Sequence, residues 1–118
     1  MAKILAVDDD LNILELYREI FAKAGFEVFT AEDASGAMGK FQEVKPDLVI
    51  LDVDMPAGGG QKVFDRLRNL LMTTTPVIFS TGSPESVAGF ARPDVIVLKK
   101  PVNPEVLIDA AKKLLKMV

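Results

Sequence analysis

Leu48, Val49, Ile50 and Leu51 form an unbroken apolar run that ends on a carboxylate, Asp52, before the chain reaches Asp54, Met55 and Pro56. Pro46 bounds the run on one side, and Pro56 with three glycines bounds it on the other. It therefore reads as a strand of a parallel sheet buried on both faces. Such a strand constrains the whole chain, because it needs helices over both faces and partner strands at both edges. It also poses a chemical question. A carboxylate at the end of a buried strand is costly to desolvate unless something pairs with it. The competing explanation is that Asp52 caps a turn, a common position for Asp after a strand.

The flanking sequence supplies the required partners. Ile4–Val7 is a short apolar strand that runs into Asp8, Asp9 and Asp10. Asp10 or Asn12 can cap the helix that follows, in which Ile13, Leu16, Tyr17, Ile20, Phe21 and Ala24 share one face and Gly25 is the stop. Phe26–Thr30 alternates as a second strand. Asp33 can cap a second helix with Ala34, Ala37, Met38, Phe41 and Val44 turned inward. After a loop at 56–60, a third helix carries Val63, Phe64, Leu67, Leu70 and Leu71. Pro76 opens a fourth strand, Val77–Thr81. Between Gly82 and Pro93, with Gly89 inside, there is room only for a short fourth helix. Asp94–Lys99 is the fifth strand. Asn103 and Pro104 are a cap and a first-turn proline for a last helix with Leu107, Ala110, Ala111, Leu114 and Leu115 on one face. Strand and helix alternate five times, which predicts one parallel sheet with helices on both faces.

Composition narrows the chemistry. The 118 residues suit one domain, 49% are hydrophobic, and the net charge of -3 carries no long run of one sign. Nucleic acid and anionic membrane surfaces are therefore not expected as direct partners. The chain has no cysteine and no histidine, which removes thiolate chemistry, disulfides and imidazole acid–base catalysis. No apolar run is long enough to span a bilayer, so the expected location is the cytoplasm.

In open parallel sheets, sites form beyond the carboxyl ends of the strands. Those ends carry Asp8 and Asp9, Asp52, Thr81 and Lys100. Each has a bland reading: a solvated turn, a helix-start hydroxyl, a surface lysine. It is their joint placement on one rim that points to chemistry. Clustered carboxylates suit a hard divalent cation such as Mg²⁺. A carboxylate can serve as nucleophile toward a phosphoryl group, whose transfer depends mostly on positioning and charge stabilisation.

In order and spacing, this chain resembles the receiver domains of two-component response regulators over nearly its whole length. The resemblance is carried by Val7-Asp8-Asp9, by Asp47 to Asp52 with Met55-Pro56 and Gly60, by Pro76 to Gly82, and by Lys100-Pro101. It implies an α/β fold: a single (βα)5 doubly wound, flavodoxin-like domain over residues 1–118, with a five-stranded parallel sheet of order 2-1-3-4-5. No output domain is visible in the sequence. The resemblance further implies that Asp52 is the phosphoacceptor and that Asp8 and Asp9 help bind Mg²⁺, one of them through water. The Asp54 backbone carbonyl would be a further ligand, and Thr81 and Lys100 would contact the phosphoryl group. The implied partners are a sensor histidine kinase or phosphotransfer protein and a downstream protein target. Such a domain is a signalling module that assists only its own phosphorylation and dephosphorylation.

Three features depart from the family pattern. Val97 stands where Tyr or Phe is usual, the stretch from Thr81 to Lys100 is short, and the loop at Ala57-Gly58-Gly59-Gly60 lacks the usual acid. Two alternatives compete. One is an atypical receiver used as a phosphorylation-independent docking module. The other is a small haloacid-dehalogenase-like phosphatase using Asp52 and Asp54, although Met55-Pro56 does not fit that motif. Without a ring at position 97, the sequence further suggests that phosphorylation acts on the order of residues 82–93.

Overall fold

Five strands of five residues each pair in parallel, in the order β2-β1-β3-β4-β5. They are β1 (Lys3–Val7), β2 (Glu27–Ala31), β3 (Leu48–Asp52), β4 (Val77–Thr81) and β5 (Val95–Lys99). The computed structural model describes residues 1–55, 59–70, 73–90 and 93–116. β3 is central and every one of its residues is buried. In the register, Ile50 lies between Ala6 of β1 and Ile78 of β4, and Leu51 lies between Val7 and Phe79. The expected doubly wound order is thus present, with strand order reversing between β1 and β3.

Strand alternation divides the core into two layers. Leu5, Val7, Val49, Leu51, Val77 and Phe79 point to one face, where they meet Ala37 and Phe41 of α2 (Ala34–Val44) and Val63 and Phe64 of α3 (Gly59–Asp65). Ile4, Ala6, Leu48, Ile50 and Ile78 point to the other. There they meet Leu14, Tyr17 and Phe21 of α1 (Leu11–Lys23), and Leu107, Ala110 and Ala111 of α4 (Pro104–Leu114). Among the described residues, no helix is long and apolar enough to cross a membrane.

The helix ends follow the sequence signals. Asp10 caps α1 by accepting from the Asn12 N–H, and Gly25 leaves the helix at φ +88°. Asp33 caps α2 by accepting from the Gly36 N–H at 2.7 Å. Asn103 caps α4 by accepting from the N–H groups of Glu105 and Val106, with Pro104 in the first turn. Lys112 and Lys113 complement the dipole at the other end of α4.

Other expectations need correction. On α1 the buried residues are Leu14, Tyr17 and Phe21, while Leu16 is 46% exposed and Ala24, the residue that ends the helix, is also exposed. The helix after β4 is a 3₁₀ segment, Pro84–Phe90, with a kink at Val87. Pro84 and Pro93 bound the segment, Gly89 lies inside it and Val87 leaves helical geometry, so no continuous α-helix runs through it. α3 widens into a π-helical turn at Arg66–Leu70. There Arg68 lies over the Phe64 ring at 4.7 Å and pairs with Asp94 at 3.0 Å, tying this turn to the entry of β5. β2 and β5 each begin one residue later than expected. The loop at Pro56, Ala57 and Gly58 and the inward placement of Leu71 lie outside the described residues, as does the Leu70 side chain.

Glycine opens α3 for a steric reason. A Cβ on Gly60 would stand 2.8 Å from the Asp52 carbonyl oxygen and 3.0 Å from Leu51 Cβ, so α3 can begin against the end of β3 only without a side chain there. Gly39, within α2, has open space around its Cβ direction. The two should respond oppositely to alanine in urea unfolding. Gly60→Ala is expected to cost about 1–3 kcal/mol from steric strain, whereas Gly39→Ala is expected to gain about 0.5–1 kcal/mol.

Candidate functional site

Strand parity decides which side chains meet at the carboxyl rim. Asp52 continues the Leu48–Ile50 side of β3, and Asp8 lies one residue past the Ile4–Ala6 side of β1. Lys100, one residue past β5, continues the Ile96–Leu98 side. All three therefore turn toward the α1/α4 layer. The Lys100 backbone N–H donates to the Thr81 carbonyl at 2.8 Å, which fixes where its side chain starts. The Lys100–Pro101 peptide is cis.

The Lys100 ammonium donates to Asp52 Oδ1 at 2.9 Å and to Asp8 Oδ2 at 3.0 Å. Asp8 and Asp52 are 1% and 2% exposed. One lysine thus bridges two buried carboxylates. Backbone donors add to it: the Asp10 N–H donates to Asp8 Oδ1 at 2.9 Å, and the Asp54 N–H donates to Asp52 Oδ1 at 3.1 Å. Asp9 is exposed, yet carboxylate oxygens of Asp8, Asp9 and Asp52 all lie within 4.8 Å of one another. Three such oxygens at that spacing, one exposed and two buried, match the donor set that a hard divalent cation takes.

The charges perturb one another in identifiable ways. Burial pushes the Asp8 carboxyl above its ordinary value, opposed by the Asp10 N–H and by Lys100. Burial pulls Lys100 down, but its bonds to Asp52 and Asp8 outweigh this and hold it above its ordinary value.

Thr81 has the opposite strand parity, and its hydroxyl goes elsewhere. It donates to the Asp54 carboxylate, 3.4 Å from each oxygen. The structure thus brings Asp8, Asp9, Asp52 and Lys100 into one cluster and joins Thr81 to it through Asp54. The receiver resemblance uses only the backbone carbonyl of Asp54, whereas in the structure its side chain also accepts from Thr81 and Gly82. Tyr17, read from the sequence as a core residue, and Ser80 also border the site. Ser80 is a fully buried hydroxyl beside Asp52 in the register, with no hydrogen bond among the described residues. The Tyr17 phenol is raised by burial and lowered in part by Ser80, so the two hydroxyls are neighbours that do not close a well-formed bond. A serine inside an apolar strand and a tyrosine on an apolar helix face were the available signals.

Lys100→Met tests this electrostatic arrangement. Without the ammonium, Asp8 and Asp52 stay buried side by side, and the metal-free protein should lose about 2–4 kcal/mol near neutral pH. The loss should be smaller near pH 4. Lys100 lowers the Asp8 pKa, so its removal leaves the folded state holding a proton that the unfolded chain releases above pH 3.8 or so. Stability of the variant should therefore fall as pH rises from that value. Urea unfolding at several pH values measures this, and a loss independent of pH would contradict the ion-pair account.

Known proteins with this fold and sequence agree with the geometry. The family model for the response regulator receiver domain matches residues 4–112. The alkaline phosphatase synthesis transcriptional regulatory protein PhoP of Bacillus subtilis is 32% identical over 97% of this chain and 48% of its own length. The chain thus spans about half of that curated relative. Among solved structures, the chemotaxis protein CheY4 of Vibrio cholerae superimposes with a TM-score of 0.86 at 36% identity, covering 97% of this chain and 98% of that one. The response regulator TrrA of Thermotoga maritima, solved in complex with Mg²⁺ and BeF, gives a TM-score of 0.81 at 34% identity, covering 97% and 99%. A parallel sheet of order 2-1-3-4-5, with a lysine-bridged acid pocket at its carboxyl rim and a family match over most of its length, makes this chain a member of the response regulator receiver domain family.

Proposed function

We propose that this chain is the phosphoacceptor unit of a two-component relay, receiving a phosphoryl group on Asp52 from a phosphohistidine and altering protein–protein contacts in response. The observation that carries the reading is the burial of Asp52 against Lys100 at the end of the central strand. With Oδ1 held by Lys100 and the Asp54 N–H, Asp52 Oδ2 is the oxygen placed to attack phosphorus. The new bond is O–P. The bond that breaks is N–P of the donor, whose imidazole leaves with the electron pair. Charge accumulates on the phosphoryl oxygens during this transfer, and the Lys100 ammonium is positioned to offset it.

Receiver domains bind Mg²⁺ at an acidic pocket, and Asp8, Asp9 and Asp52 are the residues that would hold it here, with the Asp54 carbonyl as a further ligand. When bound, such an ion neutralises carboxylate and phosphoryl charge. Receiver domains act between histidine kinases and downstream effectors, and both classes of partner are proposed for this chain, acting in the cytoplasm on residues 1–118 as one unit. It is proposed as a signalling module that helps only its own acylphosphate form and decay. No observation favours the phosphatase or the phosphorylation-independent docking alternative. The Asp54 carboxylate that a phosphatase would need as an acid is engaged with Thr81 and Gly82.

Two measurements check the reading. Asp52→Asn should abolish labelling by a phosphohistidine donor or a small acyl phosphate, and label mapped to Asp8, Asp9 or Asp54 in the wild type would overturn the assignment. Millimolar Mg²⁺ should raise the melting temperature of the wild type by binding the folded state preferentially. Asp9→Ala should remove most of that rise while leaving a folded protein, because Asp9 is exposed. An unchanged rise would take Asp9 out of the metal site.

A further inference from the structure

The side chain of Asp54 has contacts that a backbone role does not explain. Its carboxylate accepts from the Thr81 hydroxyl, 3.4 Å from each oxygen, and from the Gly82 N–H at 3.2 Å. The Ser83 N–H donates to Thr81 Oγ1 at 3.0 Å, which occupies a lone pair there and leaves the hydroxyl proton for Asp54. Through its own backbone N–H, the same residue donates to Asp52 Oδ1 at 3.1 Å. Asp54 therefore links the acceptor carboxylate to the two donors at the end of β4.

Those donors, a hydroxyl and the next backbone N–H, are a pair that suits an anion held on Asp52. Asp54 already places an anion on them. Its side chain is exposed, so leaving them costs it little desolvation. Building on the phosphoacceptor reading, we propose that the Asp54 carboxylate is an internal competitor of the phosphoryl group. It holds the Thr81 and Gly82 donors while Asp52 is unmodified, and it is displaced into solvent when a phosphoryl group arrives. Two forces drive the exchange: the phosphoryl oxygens take the same donors, and two anions so close repel. Asp54 is thus a positioning residue. It keeps the end of β4 engaged before modification and sets how strongly the site favours an incoming anion. Gly82 also leads into the 3₁₀ segment Pro84–Phe90, so the exchange changes what anchors the start of that segment.

The test is an amide NMR titration with beryllium fluoride, a tetrahedral phosphoryl mimic, at fixed millimolar Mg²⁺. Asp54→Ala should bind the mimic about two- to fivefold more tightly than the wild type, the range for an exposed charged contact removed from competition. Asp54→Asn, which keeps an acceptor without the charge, should fall between them. In a Thr81→Ala background the gain from Asp54→Ala should shrink, because one of the two contested donors is gone. Before any addition, the Gly82 amide should already be displaced in Asp54→Ala. Equal or weaker binding by Asp54→Ala, or a Gly82 amide at its wild-type position, would overturn the inference. Asp52→Asn separates the two levels of failure. If it loses the response while Asp54→Ala matches the wild type, the phosphoacceptor reading stands and the competitor role does not. If the wild type itself gives no response, both fall.

Discussion

The contact on which the site depends is the bridge from Lys100 to Asp8 and Asp52. It joins three positions far apart in the chain, at the ends of β1, β3 and β5, and it does so where two of the three groups are nearly excluded from water. Two buried carboxylates could not share that space unaided. The ammonium makes the arrangement tolerable, while the backbone N–H groups of Asp10 and Asp54 supply further donors. The balance is incomplete, since burial still holds Asp8 above its ordinary value. A site with one cation for two buried acids and a third acid nearby retains excess negative charge. A hard cation placed among the three acids would offset that excess.

Such an arrangement is possible because the interior of the sheet carries almost no polar groups. β1, β3 and β4 supply apolar residues to both layers, and the ionisable groups begin only at the strand ends. Ser80 is the exception. Its hydroxyl, without a hydrogen bond among the described residues, is paired in register with Asp52 and neighbours Tyr17. An orphaned buried hydroxyl carries a desolvation cost with no return from a hydrogen bond, and it falls in the part of the molecule where the electrostatic demands of the site are greatest.

Much of this was legible in the sequence, for physical reasons that differ between elements. The apolar run ending at Asp52 could hardly be other than a central parallel strand, and Asp33 and Asn103 declared their helices through capping chemistry that is local. Leu14 and Leu16 lie about 160° apart around the helix, on opposite flanks of Tyr17, and which flank is buried is set by how α1 rotates onto the sheet: the face turns toward Leu14, Tyr17 and Phe21. The 3₁₀ segment and the π-helical turn arise from the bounding prolines with Gly89 and from tertiary contacts such as Arg68 with Asp94 and Phe64, which propensity does not encode. The rim residues were found from their positions at strand ends. Which of them touch was not, although parity contained part of the answer: Asp52 and Lys100 share one side of the sheet, and Thr81 takes the other.

That division bears on how the molecule can register a change at Asp52. Lys100 belongs to the side of the sheet packed by α1 and α4, whereas Thr81 follows Val77 and Phe79 on the side packed by α2 and α3. A group attached to Asp52 would sit at the carboxyl edge, where the sheet no longer separates the two layers, within reach of polar groups from both. Val97 packs on the Thr81 side against the core that includes Phe79, and as a stiff β-branched residue it has no ring to swing into space vacated there. The exposed polar groups at that edge lie in turns: the Asp54 side chain and the Gly82–Ser83 backbone. Rearrangement by exchange of hydrogen-bond partners in turns disturbs less packing than rotation of a buried ring, since the close-packed layers beneath need not open. At the carboxyl edge of this sheet, the Asp54–Thr81–Gly82 contacts are therefore ones that can change partner without opening the core.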